Sequence, residues 1–395
     1  MIRRACVALI ASVLLLPLFS GTAAAYEPRG GPVFNQPVPN GDRDTFNIAN
    51  HVTRAIRGVP GKSRRVPHPQ IKIATYSHDL KGTTDALIAA HRRGVSVQIV
   101  INDNWTSYQT KRLIQRLGKN RNARSFVHVC KGACRGVGPR TNQHAKMYLF
   151  SRTGRARSVV MTGSANTTGF AAKVHWNDLF TAKRVPNLYK VYVKVFNQMR
   201  KDDGDPNGYL PYRADGYDGY FFPRYGFTRA KDPVIDRLNA IRCDAGRGGV
   251  DGRSTIRVNM YAWSGDRGLW IAKKMAELKR RGCNVRAIVS NQGTHVLGEL
   301  RRAGIPVRSA SLDLDGNPYN GWENKGHEVF THEKWMTLNG RYKGTLGKHV
   351  WTGSDNWSDL SNNNDEATIH VRGPNTHRRY VKNFDMIWSR WSRAL

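Results

Sequence analysis

The heptapeptide HAKMYLF at residues 144–150 has a counterpart, HEKWMTL, at residues 332–338. Both runs favour a β-strand, in which side chains alternate between the two faces. His144 and Lys146 should therefore share one face, as should His332 and Lys334. A single His beside a Lys on a strand is usually surface decoration. Two copies in one chain instead predict a repeated structural unit.

A second motif follows each of these copies. VVMTGSANTT occupies residues 159–168 and HVWTGSDNWS occupies residues 349–358, so that G-S-x-N begins 19 and 21 residues after the two histidines. Glycine permits a tight turn. Serine and asparagine then supply a hydroxyl and an amide near a predicted helix start, where free N–H groups favour anions. His, Lys, Ser and Asn together predict a phosphate or oxyanion site.

The repeat extends through most of the chain. The strand-like run IKIATY (71–76) resembles IRVNMY (256–261), and ALIAAHRRGVSVQIVIN (86–102) parallels KMAELKRRGCNVRAIVSN (274–291). Each longer run indicates an amphipathic helix, a glycine and a buried strand. We therefore predict an α/β fold of two pseudo-symmetric halves, each a mixed β-sheet flanked by helices, with the active site at the seam.

Composition shifts divide the chain into five segments. We predict a signal peptide, an N-terminal extension with a helix candidate at 42–56, a first repeat, an irregular joint and a second repeat, at residues 1–25, 26–69, 70–200, 201–230 and 231–395. The aromatic run in the joint, Tyr220-Phe221-Phe222, has β-propensity. We expect it to form a closing strand of the first half rather than an exposed patch.

The first 25 residues resemble a secretion signal. Arg3 and Arg4 precede an apolar run from Val7 to Phe19, and Ala23-Ala24-Ala25 offers a cleavage site, so export with cleavage near Ala25 is predicted. Cys6 would be removed with the signal. The four cysteines that remain suggest two disulfides in an oxidising compartment, Cys130–Cys134 and Cys243–Cys283. A zinc site is the rival interpretation, although C-x3-C without a second pair is a poor ligand pattern.

The chain is strongly basic. It has 63 Lys and Arg against 29 Asp and Glu, a formal net charge of +34. Such a charge favours a polyanionic partner, namely nucleic acid, an anionic lipid surface or a cell-wall polymer, although it can also serve solubility.

Three other motifs are not matched. HEVFTH (327–332) is not H-E-x-x-H, DLDGNPYN (313–320) departs from a calcium loop, and no phosphate-binding G-x-x-x-x-G-K-[ST] occurs.

The paired motifs make the chain resemble the phospholipase D superfamily, over nearly all of residues 70–395. The resemblance implies these catalytic residues: His144, Lys146, Asn166, His332, Lys334 and Asn356. It implies supporting roles for Ser164 and Ser354. The family pattern also has an Asp five residues after each Lys, where this chain has Ser151 and Asn339. We expect that difference to affect support of the motifs more than chemistry.

The resemblance also implies a two-step mechanism without a metal or other cofactor. One His attacks phosphorus and forms a phosphohistidine, while the other protonates the leaving oxygen and then activates water. We assign His144 as the nucleophile and His332 as the general acid. A nucleophilic His needs an acceptor on its other nitrogen. Asp178 and Glu366 follow the two G-S-x-N motifs and are predicted to be those acceptors, the alternative being ordinary strand-edge carboxylates.

Phospholipid head-group phosphodiesters are the first choice of substrate, because exported two-motif relatives are often phospholipases. A nuclease of the same superfamily is the alternative, favoured by the charge. A non-catalytic, basic polyanion-binding protein is a second alternative. Peripheral membrane contact through exposed tryptophans is possible, the candidates being Trp105, Trp322, Trp351 and Trp357. Two motifs in one chain predict a monomer. Head group, and hydrolysis against transfer to an alcohol, stay open.

Overall fold

The computed structural model describes residues 26–37, 44–205, 208–320 and 326–395. Two large mixed β-sheets and nine α-helices are found in these ranges. The predicted signal peptide, residues 1–25, lies outside the described residues. In the part of the chain that is described, no helix combines the length and apolarity needed to cross a membrane.

The first half contains seven strands and five helices. They are β1 (Gly31–Asn35), α1 (Asn47–Arg57), β2 (Gln70–Thr75), α2 (Lys81–Arg92), β3 (Ser96–Asn102), α3 (Tyr108–Leu117), β4 (Phe126–Cys130), β5 (Met147–Thr153), β6 (Ala156–Gly163), α4 (Gly169–Val174), β7 (His175–Ala182) and α5 (Pro186–Lys201).

The joint and the second half contain the remaining elements. They are β8 (Leu210–Ala214), β9 (Tyr217–Phe222), α6 (Pro233–Asn239), β10 (Ile241–Arg242), β11 (Thr255–Trp263), α7 (Gly265–Arg280), β12 (Asn284–Gln292), α8 (Thr294–Arg302), β13 (Val307–Ser309), β14 (Ser311–Leu312), β15 (Val329–Thr331), β16 (Lys334–Tyr342), β17 (Thr345–Gly353), β18 (Glu366–Arg372), α9 (Pro374–Arg390) and β19 (Arg393–Ala394).

Strand order confirms the predicted duplication. The first sheet contains the run β7-β6-β5-β2-β3-β4, and the second contains β18-β17-β16-β11-β12-β13 in the same order. In each run three strands are parallel, β2-β3-β4 and β11-β12-β13, and the other three strands pair antiparallel. The fold is therefore α/β with two mixed sheets, as the sequence predicts.

The parallel strands are buried because helices cover both faces of each sheet. Every residue of β3 is buried, from Ser96 to Asn102. The preceding helix α2 ends just before Gly94, whose φ of 84° is in the left-handed region that glycine adopts at low cost. Gly282 occupies the equivalent place after α7 with a φ of 93°. These two glycines let the chain turn from helix into strand.

Strands from the second half and from the joint complete the two sheets at the seam. β15, from the second half, pairs with β7 of the first, through Phe330 with His175 and Thr331 with Trp176. β9, from the joint, pairs with β18, and β8 pairs with β9. The Tyr-Phe-Phe run is thus a strand, but the expectation that it closes the first half is wrong. It extends the second sheet, because its neighbour there is β18.

Both predicted disulfides are present. Cys130 at the end of β4 is bonded to Cys134, and Cys243 is bonded to Cys283 at the start of β12. The first closes a small loop beside the seam. The second ties the segment after β10 to the segment after α7. Since both pairs are in the oxidised form, the rival zinc interpretation of these cysteines is wrong.

Candidate active site

The two H-x-K and two G-S-x-N motifs meet at a single cleft of about 750 Å³ between the halves. Its walls are pseudo-symmetric. Equivalent residues from the two halves line it in pairs: Tyr76 and Tyr261, His144 and His332, Asn166 and Asn356, Thr168 and Ser358, Phe170 and Leu360. The motif histidines and lysines lie just before or at the first residue of β5 and β16 rather than within the strands. The strands thereby aim both motifs at the seam.

His144 is oriented by a carboxylate from the other half. Its Nδ1 donates to Glu366, at 2.9 Å from Oε1 and 3.0 Å from Oε2. Glu366 is the first residue of β18 and is fully buried. A proton held on Nδ1 leaves the lone pair of Nε2 free, which is the tautomer that a nucleophile requires. Glu366 thus has the geometry predicted for an orienting acceptor.

His332 is oriented by an amide instead. Its Nδ1 lies 3.0 Å from Oδ1 of Asn177, in β7 of the first half. The prediction that Asp178 fills this place is wrong. The side chains of neighbouring strand residues point to opposite faces, and Asp178 Oδ2 accepts from Tyr380 at 2.7 Å and from Thr352.

Asn177 was missed because the repeat spacing slips by one residue. The backbone N–H of Ser164 donates to Asp178, and that of Ser354 donates to Ala367, each at 3.0 Å. Asp178 is therefore the counterpart of Ala367, and Asn177 that of Glu366. The sequence analysis matched Asp178 with Glu366 because both are carboxylates. The available signal was the offset, which changes from 188 to 190 residues between the histidines and the G-S-x-N motifs.

The motif serines hold these acceptors and do not face the cleft. Ser164 Oγ donates to Asn177 Oδ1 at 2.9 Å and accepts from the N–H of Asp178 at 3.0 Å. Ser354 Oγ donates to Glu366 and accepts from the N–H of Ala367. Both serines are fully buried. The expectation that their hydroxyls contribute to the phosphate site is wrong, whereas a supporting place is what the geometry gives them.

The two motif lysines are buried beside the motif histidines. Lys146 Nζ donates to the backbone carbonyl of His144 at 2.6 Å, and Lys334 makes the same bond to His332. Each ammonium also lies over a cleft tyrosine, at 5.5 Å from the centroid of Tyr76 and 5.0 Å from that of Tyr261. Burial lowers the pKa of Lys146 to about 7 and that of Lys334 well below its ordinary value.

Burial shifts the other titratable groups toward their neutral forms. The pKa values of His144 and His332 fall well below 6.5, first through burial and then through the nearby lysines. Burial raises the pKa of Glu366 to about 7, against the opposing charges of Lys146 and Lys334. A bound phosphodiester anion would offset the lysine charges and favour protonation of a histidine.

Asn166 and Asn356 border the cleft with their amides. Asn356 Oδ1 accepts from the N–H of Ala262 at 3.3 Å, so its NH₂ group can point at a bound anion. The two positions where the family pattern has Asp do not line the cleft. Ser151 accepts from the N–H of Gln70 at 2.8 Å, and Asn339 donates to the carbonyl of Gly249. Both therefore tie down neighbouring backbone.

One side of the cleft is aromatic. His175, which was not singled out in the sequence, stacks on His332 with ring centroids 4.6 Å apart and an interplanar angle of 18°. Phe170 and Phe330 pack against His175 at 4.9 and 4.3 Å. Among the described residues, neither ring nitrogen of His175 has a hydrogen-bond partner. The opposite side, around His144, carries Asn142, Asn364 and similar polar residues.

Apolar side chains border the cleft, and its described lining contains no basic residue. Among the described residues that line the cleft, none is Lys or Arg, and Asp79 and Asp359 are acidic. Exposed apolar side chains border it: Trp105 at 46%, Phe170 at 40% and Leu360 at 58%. Of the other tryptophans suggested for membrane contact, Trp351 and Trp357 are buried, which excludes them, and Trp322 lies outside the described residues.

Two groups of possible metal ligands occur in the described ranges, both away from the cleft lining. One is His128, Cys130 and Asp202, in which Cys130 is committed to a disulfide. The other is Asp313, Asp315 and Glu328 on the surface, where Asp313 and Asp315 accept from backbone N–H groups of their own loop. The described motif residues offer His, Lys and Asn donors suited to a phosphate rather than a carboxylate-rich cation site.

Comparison with known proteins gives a family match and solved structures of similar fold. The family model for the cardiolipin synthase, PLD-like domain matches residues 67–200 and 251–388. No curated protein sequence matches the chain. The solved phosphatidylserine synthase of Haemophilus influenzae Rd KW20 is similar in fold, with a TM-score of 0.58, 10% identity, and coverage of 92% of this chain and 87% of that one. Polyphosphate kinase from Porphyromonas gingivalis gives a TM-score of 0.56 at 14% identity, covering 92% of this chain but only 48% of that one.

The fold and site define a duplicated phosphodiester enzyme with one composite active site. The chain belongs to the phospholipase D-like family, and its two family matches correspond to the two halves of the structure.

Proposed function

We propose that the protein is a phospholipase D that hydrolyses the head-group phosphodiester of phospholipids through a phosphohistidine. His144 Nε2 attacks phosphorus, so that a P–N bond forms and the P–O bond to the head-group alcohol breaks. His332, protonated on both ring nitrogens once the phosphodiester is bound, donates the proton on Nε2 to that leaving oxygen and keeps the one on Nδ1. In the second step His332 takes a proton from water, which attacks the phosphohistidine and releases phosphatidic acid and free His144.

The different acceptors support this assignment of roles. A carboxylate on Nδ1 makes an imidazole a stronger base and stabilises the positive charge that develops when Nε2 forms a bond to phosphorus. Glu366 supplies this to His144. An amide stabilises the charged imidazole less, so the proton on Nε2 is released more readily. Asn177 supplies the amide to His332, which suits a general acid.

The remaining motif residues would bind the reacting phosphate. Lys146 and Lys334 keep two of their three N–H donors for other partners after bonding to the histidine carbonyls. Together with Asn166 and Asn356 they can hold the two non-bridging oxygens and offset the charge that develops on them. Their burial strengthens these interactions, because water does not screen them there.

The observation that carries the choice of lipid is which residues line and border the cleft. A nucleic-acid strand needs basic side chains along its path. The described cleft lining has no Lys or Arg, whereas Trp105, Phe170 and Leu360 expose apolar surface around it. An apolar rim around a phosphate site suits an amphiphile whose phosphodiester lies next to an acyl-chain interface.

A nuclease is the second candidate, and the net charge of +34 favours it. Long-range attraction to a polyanion would act through Lys and Arg outside the cleft, and the cleft aromatics can stack on bases.

The two disulfides support the proposal that the chain works in an oxidising compartment outside the cytoplasm, after removal of residues 1–25.

A direct assay separates these candidates. Residues 26–395 are incubated with phosphatidylcholine vesicles and, separately, with single- and double-stranded DNA and RNA, each with and without EDTA. His144→Ala serves as the matched inactive control. We expect head-group release that survives EDTA and is absent from the variant. Cleavage of nucleic acid alone would overturn the lipid proposal, and loss of all activity in EDTA would overturn the metal-free mechanism.

A further inference from the structure

The N-terminal extension contributes a strand to the sheet that supports the active site. The family match begins at residue 67, but β1, Gly31–Asn35, lies upstream of it and pairs antiparallel with β7. The pairing places Asn35 directly opposite Asn177, the residue that accepts from His332. A segment that the family match does not include is thus built into the support of the histidine assigned as the general acid.

Asn35 is buried, and both polar atoms of its side-chain amide form hydrogen bonds. Its Oδ1 accepts from the backbone N–H of Asn177 at 2.8 Å. Its Nδ2 lies within hydrogen-bond distance of three carbonyls at the end of α4 and the start of β7: Ala171 at 3.3 Å, Ala172 at 2.9 Å and His175 at 2.8 Å. Only 2% of Asn35 is exposed. An amide is the side chain that supplies both the acceptor and the donors required here.

The backbone held by Asn35 carries two of the side chains that contact the His332 ring. His175 stacks on one face of it at 4.6 Å, and Asn177 accepts from its Nδ1 at 3.0 Å. The Asn177 amide is fixed further, because its Nδ2 donates to the carbonyl of Ala171, which Asn35 also contacts. A shift of this short backbone segment would therefore move both neighbours of His332 together.

We propose that Asn35 is a positioning residue for His332, and that β1 is a part of the catalytic apparatus of this protein. The proposal rests on the assignment of His332 as the general acid. Asn35 acts through backbone, since its amide bonds backbone atoms of Asn177, His175 and the end of α4 rather than a side chain of the site. Its loss should release the Asn177 amide, so that the proton of neutral His332 is no longer held on Nδ1.

The first test compares reaction rates on two esters whose leaving groups differ in their need for a proton. Asn35→Asp, which keeps the shape but removes the Nδ2 donors, and Asn35→Ala are compared on dihexanoyl phosphatidylcholine and dihexanoyl phosphatidyl-p-nitrophenol. Choline needs a proton as it leaves and p-nitrophenolate does not. We expect the rate of phosphohistidine formation to fall about 10-fold or more with the choline ester and to change less than about 3-fold with the p-nitrophenyl ester.

Thr181→Ala is the matched control, because Thr181 pairs with Gly31 in the same two strands and bonds His51, not the site. Equal losses on both esters, or the same selective loss in Thr181→Ala, would overturn the proposal. His332→Ala tests the role on which it rests. If that variant leaves the ratio of the two rates unchanged, the assignment of the general acid fails independently.

The second test needs no substrate. In protein with ¹⁵N-labelled histidine, long-range ¹⁵N–¹H spectra report which ring nitrogen of His332 is protonated, with His332→Gln identifying its signals. The wild type should show the proton on Nδ1. Asn35→Ala should show a mixture of tautomers, and Thr181→Ala should match the wild type. An unchanged His332 tautomer in a folded Asn35→Ala protein would contradict the proposal even if the enzyme cleaves none of the esters.

Discussion

Glu366 of the second half lies 2.9 Å from Nδ1 of His144 of the first half, while the equivalent residue, Asn177, accepts from His332 at 3.0 Å. Each half therefore provides the acceptor for the histidine of the other half. The two contacts have the same geometry but different charge. This difference is what separates the two histidines chemically.

The charge of Glu366 should set the acid limb of the pH profile. Burial raises its pKa to about 7, so the carboxylate needed by His144 is lost as the pH falls through that value. We expect kcat to fall toward low pH in the wild type. Glu366→Gln should lower kcat by about 100-fold or more and remove this limb. The measurement is kcat against pH for both proteins, and an unchanged limb in Glu366→Gln would show that another group is responsible.

Asn177, rather than Asp178, should affect the general acid. We expect Asn177→Ala to lower kcat by about 10- to 100-fold, since His332 loses its acceptor. Asp178→Asn should have a smaller effect, because Asp178 contacts Tyr380 and Thr352 and its buried carboxyl has a raised pKa. Steady-state kinetics on a choline ester compare the two variants at equal folded fraction. The opposite ranking would restore Asp178 as the functional residue.

The apolar rim should bind lipid surfaces. Trp105→Ala and Phe170→Ala are expected to weaken partition onto phosphatidylcholine vesicles by about 10-fold each, because each removes apolar area that would leave water on binding. Leu346→Ala is the control, since Leu346 is similarly exposed at 43% but does not line the cleft. Vesicle co-sedimentation measures the effect. Equal losses in all three variants would argue against a specific docking rim.

Much of the fold could be predicted from the sequence, because duplication repeats a pattern of residues. The two H-x-K and two G-S-x-N motifs identify the halves, and Glu366 was found because it is a carboxylate at a regular distance. Asn177 was not found, because a one-residue difference in loop length shifts the register and an amide gives no charge signal. The geometry of β7 reveals it instead.

Contacts between the halves were the other part that the sequence did not predict. β15 joins the first sheet and β9 joins the second, and both are short strands with no periodicity that specifies a partner. The same applies to β1, where the information is spread over backbone pairing and one buried amide, Asn35. Such long-range pairings depend on the arrangement of the halves, which local patterns do not encode.

Trapping the covalent intermediate tests the central claim most directly. Residues 26–395 are mixed with dihexanoyl phosphatidyl-p-nitrophenol, quenched within milliseconds and digested for mass spectrometry under conditions that preserve phosphohistidine. We predict a phosphatidyl adduct on His144, accompanied by a burst of p-nitrophenol that persists in His332→Ala and is lost in His144→Ala. An adduct on His332 would reverse the two roles, and turnover close to normal in both variants would contradict the paired-histidine mechanism itself.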